Sequence, residues 1–443
     1  MDDDALEIAR RLARLVRIPT VSAELDERGL APFDEALELL AEMYPRTHAT
    51  LEREMIGDLG VLYRWPGSGD GDPIVLMAHY DVVPADEADG WTRDPFSGEI
   101  DDAFVHGRGA LDDKGPLIVI LEAIEYLLRA DFQPTRDVYL SFGGNEETFG
   151  DAARAISDAL RDRGVVPWLV LDEGGAIVDA PLPFVSGRAA MIGVGEKGIV
   201  SLRLDAQGDG GHASAPQGPS AIDRIARAVA RLDVSTFPPR TPSAITRMLG
   251  VFSERASGPA RLVLRLLSRS RLLTGRVSAM LGGEPAALVR TTIAATMQDG
   301  GSAVNVLPAR ASAVLNLRLI PGETVQTAVR RIRRRIRDPK VGIEVLEASD
   351  PSPQSDPSGE PFAAVARAVR RAFPDALPAP YLMMQASDAR HFHRFSPDVL
   401  RFAPLEMSAA QRAGIHGVDE RVEIASLARG RDFHVALLSE QAS

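Results

Sequence analysis

The chain has 443 residues, 45% of them hydrophobic, which is more than one ordinary core holds and calls for two domains. It contains no cysteine, so disulfides and thiolate metal sites are excluded and a reducing compartment is permitted. Its formal net charge of −12 argues against a nucleic-acid partner. The opening MDDDALEIARRLARLVRIPTVS starts acidic and then sets Ile8, Leu12, Leu15 and Val16 at helical spacing. That is neither the basic start nor the unbroken apolar stretch of a signal peptide, and no later run is long enough to span a bilayer. A cytoplasmic protein without membrane contact is expected.

Up to about residue 186, apolar strands alternate with amphipathic helices, as in an α/β fold with a mostly parallel sheet. Residues 74–78 are continuously apolar, the pattern of a strand buried on both faces, and the run ends at His79 and Asp81. Asp112 follows in HGRGALDDKG, Glu146 and Glu147 follow the apolar VYLSF, and Asp172 and Glu173 follow the apolar WLVL. The carboxyl ends of strands in such a sheet are where ligands bind. Near residue 187 the pattern changes. IGVGEKGIVSLRLDAQG reads as one extended strand, SAIDRIARAVARL as a helix, ARASAVLNLRLIPG as a strand, TVQTAVRRIRRRI as a helix, and residues 341–346 as a last strand. The expected division is therefore 1–186 and 351–443 for the larger domain, with a smaller α+β domain inserted at 187–350.

Residues 240–287 are less regular. Leu262, Leu266 and Leu267 against Arg261, Arg265 and Arg269 suggest one amphipathic helix, read either as packing on the insert or as an apolar wall for an acyl chain or membrane contact. The helix PFAAVARAVRRAF returns to the larger domain, and His416 follows in GIHGVDERV. Gly193, Gly195 and Gly198 match the dinucleotide fingerprint but lead into a strand rather than a helix, so nucleotide binding is rejected. HExxH and G-x-S-x-G motifs are both absent from the sequence.

Each acidic residue has a bland reading, as a helix cap or a turn residue. Together with two histidines they suit a pair of divalent ions. Such ions sit about 3.5–4 Å apart and repel, so one carboxylate must bridge them while each also takes a histidine and a further carboxylate. Asp112 is the candidate bridge, His79 and His416 are the imidazoles, and Asp81 is placed to orient the His79 ring. Adjacent residues on an extended chain face opposite sides, so one of Glu146 and Glu147 binds metal and the other stays free as a base. By the same alternation only one of Asp172 and Glu173 is a ligand.

The motifs HYDVVP, WTRDPFSG, HGRGALDDKG, NEE, LDEGG, GHASAP, NVLP, NLRLIPG, SDAR and IHGVDER occur in this order over nearly the whole chain. They resemble the co-catalytic dizinc metallopeptidase family of aminoacylase, acetylornithine deacetylase, succinyl-diaminopimelate desuccinylase and carnosinase. The resemblance is strongest to the carboxypeptidase S branch, which also holds N-fatty-acyl amino acid hydrolases. It implies a zinc-peptidase-type sheet with helices on both faces, an inserted lid and dimerisation domain, two Zn2+ ions (Co2+ or Mn2+ as alternatives) and a homodimer. By the same resemblance Glu146 is the general base, Glu147 a ligand, and Asp172 preferred over Glu173. His212 is the oxyanion donor from the partner's lid, and Asn305 and Arg318 bind substrate. Where this chain has Asn145 the family usually has an acid. Three functions follow: an amidohydrolase releasing an amino acid from an N-acyl amino acid or a peptide's C-terminus, a dipeptidase or aminopeptidase of the same fold, and a binding protein without catalysis.

Overall fold

The computed structural model describes residues 3–440 except 149, 183, 215 and 217. At the centre of a nine-stranded sheet lies the strand Gly71–His79, flanked in parallel by Arg136–Gly143 and Leu169–Asp172. Its apolar run is buried on both faces, as its composition requires. Ile74, Leu76 and Ala78 face a core built with the helices Asp3–Val16, Lys114–Arg129 and Ile424–Glu440. Val75 and Met77 face the opposite way, onto Ile156 and Leu160 of the helix Ala152–Asp162 and onto Phe392. The alternation follows from the two-residue period of a strand, and each such buried Ile, Leu, Val or Met side chain contributes roughly 1.5–3 kcal/mol. Ile8, Leu12, Leu15 and Val16 are buried as the helical spacing predicts.

A second, antiparallel sheet has four strands in the order Thr292–Gly300, Arg310–Leu319, Gly198–Gln207, Val341–Ser349. The helices Ala221–Arg231 and Val325–Ile336 cover one of its faces, where Leu315 and Leu317 meet Ile225 and Ile332. Both helices start with capping boxes, from Ser220 and Thr324.

The run from 192 to 208 is not one strand. Arg188–Glu196 lies in the nine-stranded sheet, parallel to Ala376–Met383, and Gly198–Gln207 lies in the other. The break is fixed by packing. The Glu196 N–H donates to Ser352 Oγ at 2.9 Å, and Lys197 Nζ donates to the carbonyls of Ala287 and Arg290. A Cβ on Gly198 would lie 2.5 Å from the Ser349 carbonyl oxygen, so only glycine fits there. The two passages of the chain between the sheets thus meet at one point.

Residues 243–287 form the helices Ser243–Arg255, Gly258–Ser268, Arg271–Leu281 and Gly283–Ala287. The amphipathic helix read from residues 261–269 is Gly258–Ser268 with Arg269 as its C-cap, and a further helix starts where Ser270 Oγ accepts the Leu273 N–H. Ser243–Arg255 packs Ile245, Met248 and Phe252 onto Ala379 and Leu382 of the edge strand. Among the described residues, no helix is long and apolar enough to cross a membrane.

Candidate metal centre

His79 ends the central strand and is buried. Its Nδ1 lies 3.1 Å from the Asp81 carbonyl oxygen and 3.3 Å from Asp81 Oδ1, and its Nε2 lies 3.1 Å from Asp112 Oδ1. Nδ1 is therefore held by Asp81 and Nε2 points at the acidic cluster, the ring orientation a metal ligand needs. Burial alone would depress this imidazole, but hydrogen bonds to Asp112 and Asp81 outweigh it and hold its pKa well above the ordinary histidine value.

His416 Nε2 lies 3.1 Å from both Asp112 Oδ2 and Glu147 Oε2, and these two carboxylates raise its pKa to about 10. Its backbone is left-handed, φ 55°, a conformation unfavourable for a non-glycine residue and held here by neighbours. Those neighbours begin with Glu420, fully buried, which accepts N–H bonds from Gly109, Leu111 and Asp112 and pairs with Arg108 at 2.7 Å. Arg108 in turn donates to the carbonyls of Gly414 and Gly417, on either side of His416. One buried ion pair thus fastens the Asp112 loop to the His416 loop. Gly109 lets the loop close, with φ +89° and Val82 2.7 Å from where a Cβ would stand.

Asp81 has a wider part than orienting one ring. Its Oδ1 accepts the Glu146 N–H at 3.0 Å and its Oδ2 the Glu147 N–H at 3.1 Å. Glu146 and Glu147 lie on a 3-10 turn, Glu146–Thr148, not on an extended segment, so turn geometry rather than strand alternation separates them. Asn145 is engaged with the next helix, its Oδ1 accepting the N–H of Ala152. Burial, then the nearby Asp388 carboxylate, raise the Glu146 pKa well above the carboxylate range. Asp388 itself is pushed up to about 7 by burial, against the pull of Arg390.

Asp172 is buried at the end of its strand, with Oδ2 accepting the Ala389 N–H at 2.8 Å and burial raising its pKa. Glu173 is raised well above its ordinary value by burial, then by Asp112, Asp113 and Asp172. Both carboxylates therefore feel the cluster. Asp113, buried, accepts the His79 backbone N–H at 3.0 Å.

His79, Asp112 and Glu147 each offer a ligand atom, all within 4.8 Å of one another. With His416 they form a donor set of two imidazoles and two carboxylates, ringed by further buried acids whose mutual repulsion divalent cations would relieve. The set fits a metal pair. The remaining three candidates stand elsewhere. His212 pairs with Val306 on an exposed two-stranded ribbon, where the Ala213 N–H donates to the Asn305 carbonyl. Arg318, half-buried, lies on the four-stranded sheet opposite Thr292 and Ile199, close enough to Lys197 to help burial lower that lysine's pKa to about 8.

The sequence motifs contained Asp113, Asp388, Arg108 and Glu420, and a role for each was missed. Nothing in their spacing separates a carboxylate that holds a loop from one that faces a metal.

A model of peptidase family M20/M25/M40 matches residues 75–440. An N-fatty-acyl-amino acid synthase/hydrolase of Danio rerio is 35% identical, over 92% of this chain and 81% of the relative. The "Probable carboxypeptidase S-like 2" of Dictyostelium discoideum is 34% identical, over 98% and 85%. Among solved structures, an M20 family metallo-carboxypeptidase of Sulfolobus solfataricus superposes with a TM-score of 0.72 over all of both chains at 18% identity. A dinuclear metal-binding peptidase of Bacillus subtilis does so with a TM-score of 0.63 at 13% identity, again over all of both chains.

Proposed function

Because the chain belongs to peptidase family M20/M25/M40, we propose that it is a two-metal amidohydrolase releasing an amino acid from an N-acyl amino acid or from the C-terminus of a short peptide. The observation that carries this reading is the convergence of His79, Asp112, Glu147 and His416, with the half-buried Glu146 beside them and outside the group of metal-ligand atoms. Asp112 would bridge the pair, with Glu147 and His416 as ligands to one ion and His79 and Asp172 to the other. Asp172 is preferred to Glu173 on the resemblance to the family. Zn2+ is the expected ion, with Co2+ or Mn2+ as alternatives.

Two such ions polarise an amide carbonyl and lower the pKa of a bound water from about 15.7 toward about 7. Glu146 takes a proton from the attacking water and returns it to the departing nitrogen. His212 donates to the developing oxyanion, Arg318 pairs with the substrate carboxylate, and Asn305 hydrogen-bonds beside it. His212 lies on an exposed ribbon of the inserted domain, so the reading supplies it from the partner's lid in a homodimer. A cytoplasmic location completes the proposal.

The test is a substrate panel on zinc-loaded protein, comparing blocked N-acyl amino acids with free-amine dipeptides. Cleavage of the blocked compounds, with release of the free amino acid, is expected. Cleavage confined to free-amine peptides would make the protein a dipeptidase or aminopeptidase, and no turnover on either class would make it a binding protein.

A further inference from the structure

We propose that the hairpin formed by the helices Gly258–Ser268 and Arg271–Leu281 docks the protein on the surface of an anionic lipid bilayer. The first helix has no buried residue. Leu264 turns inward to the core of Ile245, Met248 and Phe252, while Leu262 and Leu266, four residues apart, are each more than half exposed. At 100° per residue, Arg265 and Arg269 fall beside them within an outward arc of about 100°. In the second helix Leu272, Arg276 and Met280 recur every four residues, and all three are exposed. Leucines bordered by arginines suit the boundary between acyl chains and headgroups, where the apolar tips enter and the guanidinium groups reach phosphate.

Charge identifies the occupant. Residues 255–283 contain six arginines and no aspartate or glutamate, in a chain of net charge −12. Arg255 and Arg271 are spent on backbone carbonyls. Arg261, Arg265, Arg269 and Arg276 form no ion pair among the described residues. An acidic protein is repelled by an anionic membrane over most of its surface, so this hairpin is the face that can approach one. A second copy is the poorer occupant, since a two-fold contact sets the patch against itself, arginine upon arginine. Nucleic acid would leave the leucines unused. The expectation of no membrane contact came from the lack of a run long enough to span a bilayer, a criterion that does not register a surface hairpin.

The experiment is sedimentation of the full chain with vesicles of phosphatidylglycerol mixed with phosphatidylcholine, against vesicles of phosphatidylcholine alone. Binding is expected to the first and not the second, with release in high salt as the screening length falls from about 10 Å at 0.1 M to about 3 Å at 1 M. Arg265→Gln with Arg269→Gln should weaken partitioning roughly 25-fold, about fivefold per arginine. Leu262→Ser with Leu266→Ser should also release the protein although the charge is intact. Both pairs are exposed, so an unchanged unfolding transition verifies the fold of each variant. The proposal is overturned if anionic vesicles do not sediment the protein or if both variants bind as the parent does. It is equally overturned if the leucine variant shrinks the oligomer in light scattering, or if duplex DNA is bound in place of vesicles.

Discussion

Replacing Asp81 by asparagine isolates the residue that serves both sides of the centre. Its two carboxylate oxygens accept the N–H groups of Glu146 and Glu147 at 3.0 and 3.1 Å, and Oδ1 stands 3.3 Å from His79 Nδ1. Asparagine keeps one acceptor oxygen and turns the other into a donor, so one of the two turn N–H groups faces an NH2. An orphaned buried donor costs about 1–3 kcal/mol. The imidazole also loses the neighbouring negative charge that strengthens it as a ligand, a change that typically lowers metal affinity or activity 10–100-fold. The assay has two arms: denaturant unfolding for the first effect, and competition with a chelator alongside kcat for the second. Asp81→Asn should lose stability and metal affinity together. A variant with parental metal affinity and kcat would refute the reasoning, and one that lost stability alone would leave Asp81 a support for the turn and nothing more.

His416→Ala removes an imidazole shared between Asp112 and Glu147, so metal content by elemental analysis should fall; full content and activity would remove His416 from the site. Glu420→Gln breaks a buried ion pair that fastens two ligand loops, and about 3–5 kcal/mol of stability should go with it in denaturant unfolding, accompanied by weaker metal retention. Lys114 is buried with its Nζ on the carbonyls of Leu15 and Ile18, and burial lowers its pKa from 10.5 to about 7. Between those values the unfolded chain binds the proton more readily, so the stability of the parent relative to Lys114→Met should fall as pH drops from about 10 to about 7 and level off below. Equal pH profiles would count against a buried, proton-poor lysine. For His212, mixing inactive Glu146→Gln with inactive His212→Ala protein should restore some activity, because one site of a mixed dimer holds both groups. Demonstrated subunit exchange without recovered activity would place His212 in its own chain's site or outside catalysis.

The sheet and the donor residues could be read from the sequence because a strand buried on both faces leaves a continuous apolar run, and the chemistry begins where the run stops, as at His79 and Asp172. Other features left no such trace. The strand Thr292–Gly300 is exposed along most of its length, so no alternation of apolar and polar residues marks it. The break at Lys197 depends on Ser352 and on the carbonyls of Ala287 and Arg290, far away in sequence. Arg108 and Glu420 are likewise 312 residues apart, and only folding reveals that Glu420 arranges the Asp112 loop. The pairs Glu146 with Glu147 and Asp172 with Glu173 differ by one position. Spacing names the pairs, and a one-position difference does not separate their members.

The most direct test of the account is Glu146→Gln, with metal content and kcat measured on the same preparation. Glutamine keeps the shape of the side chain and removes the base, so two equivalents of metal per chain should remain while kcat falls about 10²–10⁴-fold. Loss of metal together with activity would make Glu146 a ligand, and parental kcat would show that the proton passes through another group.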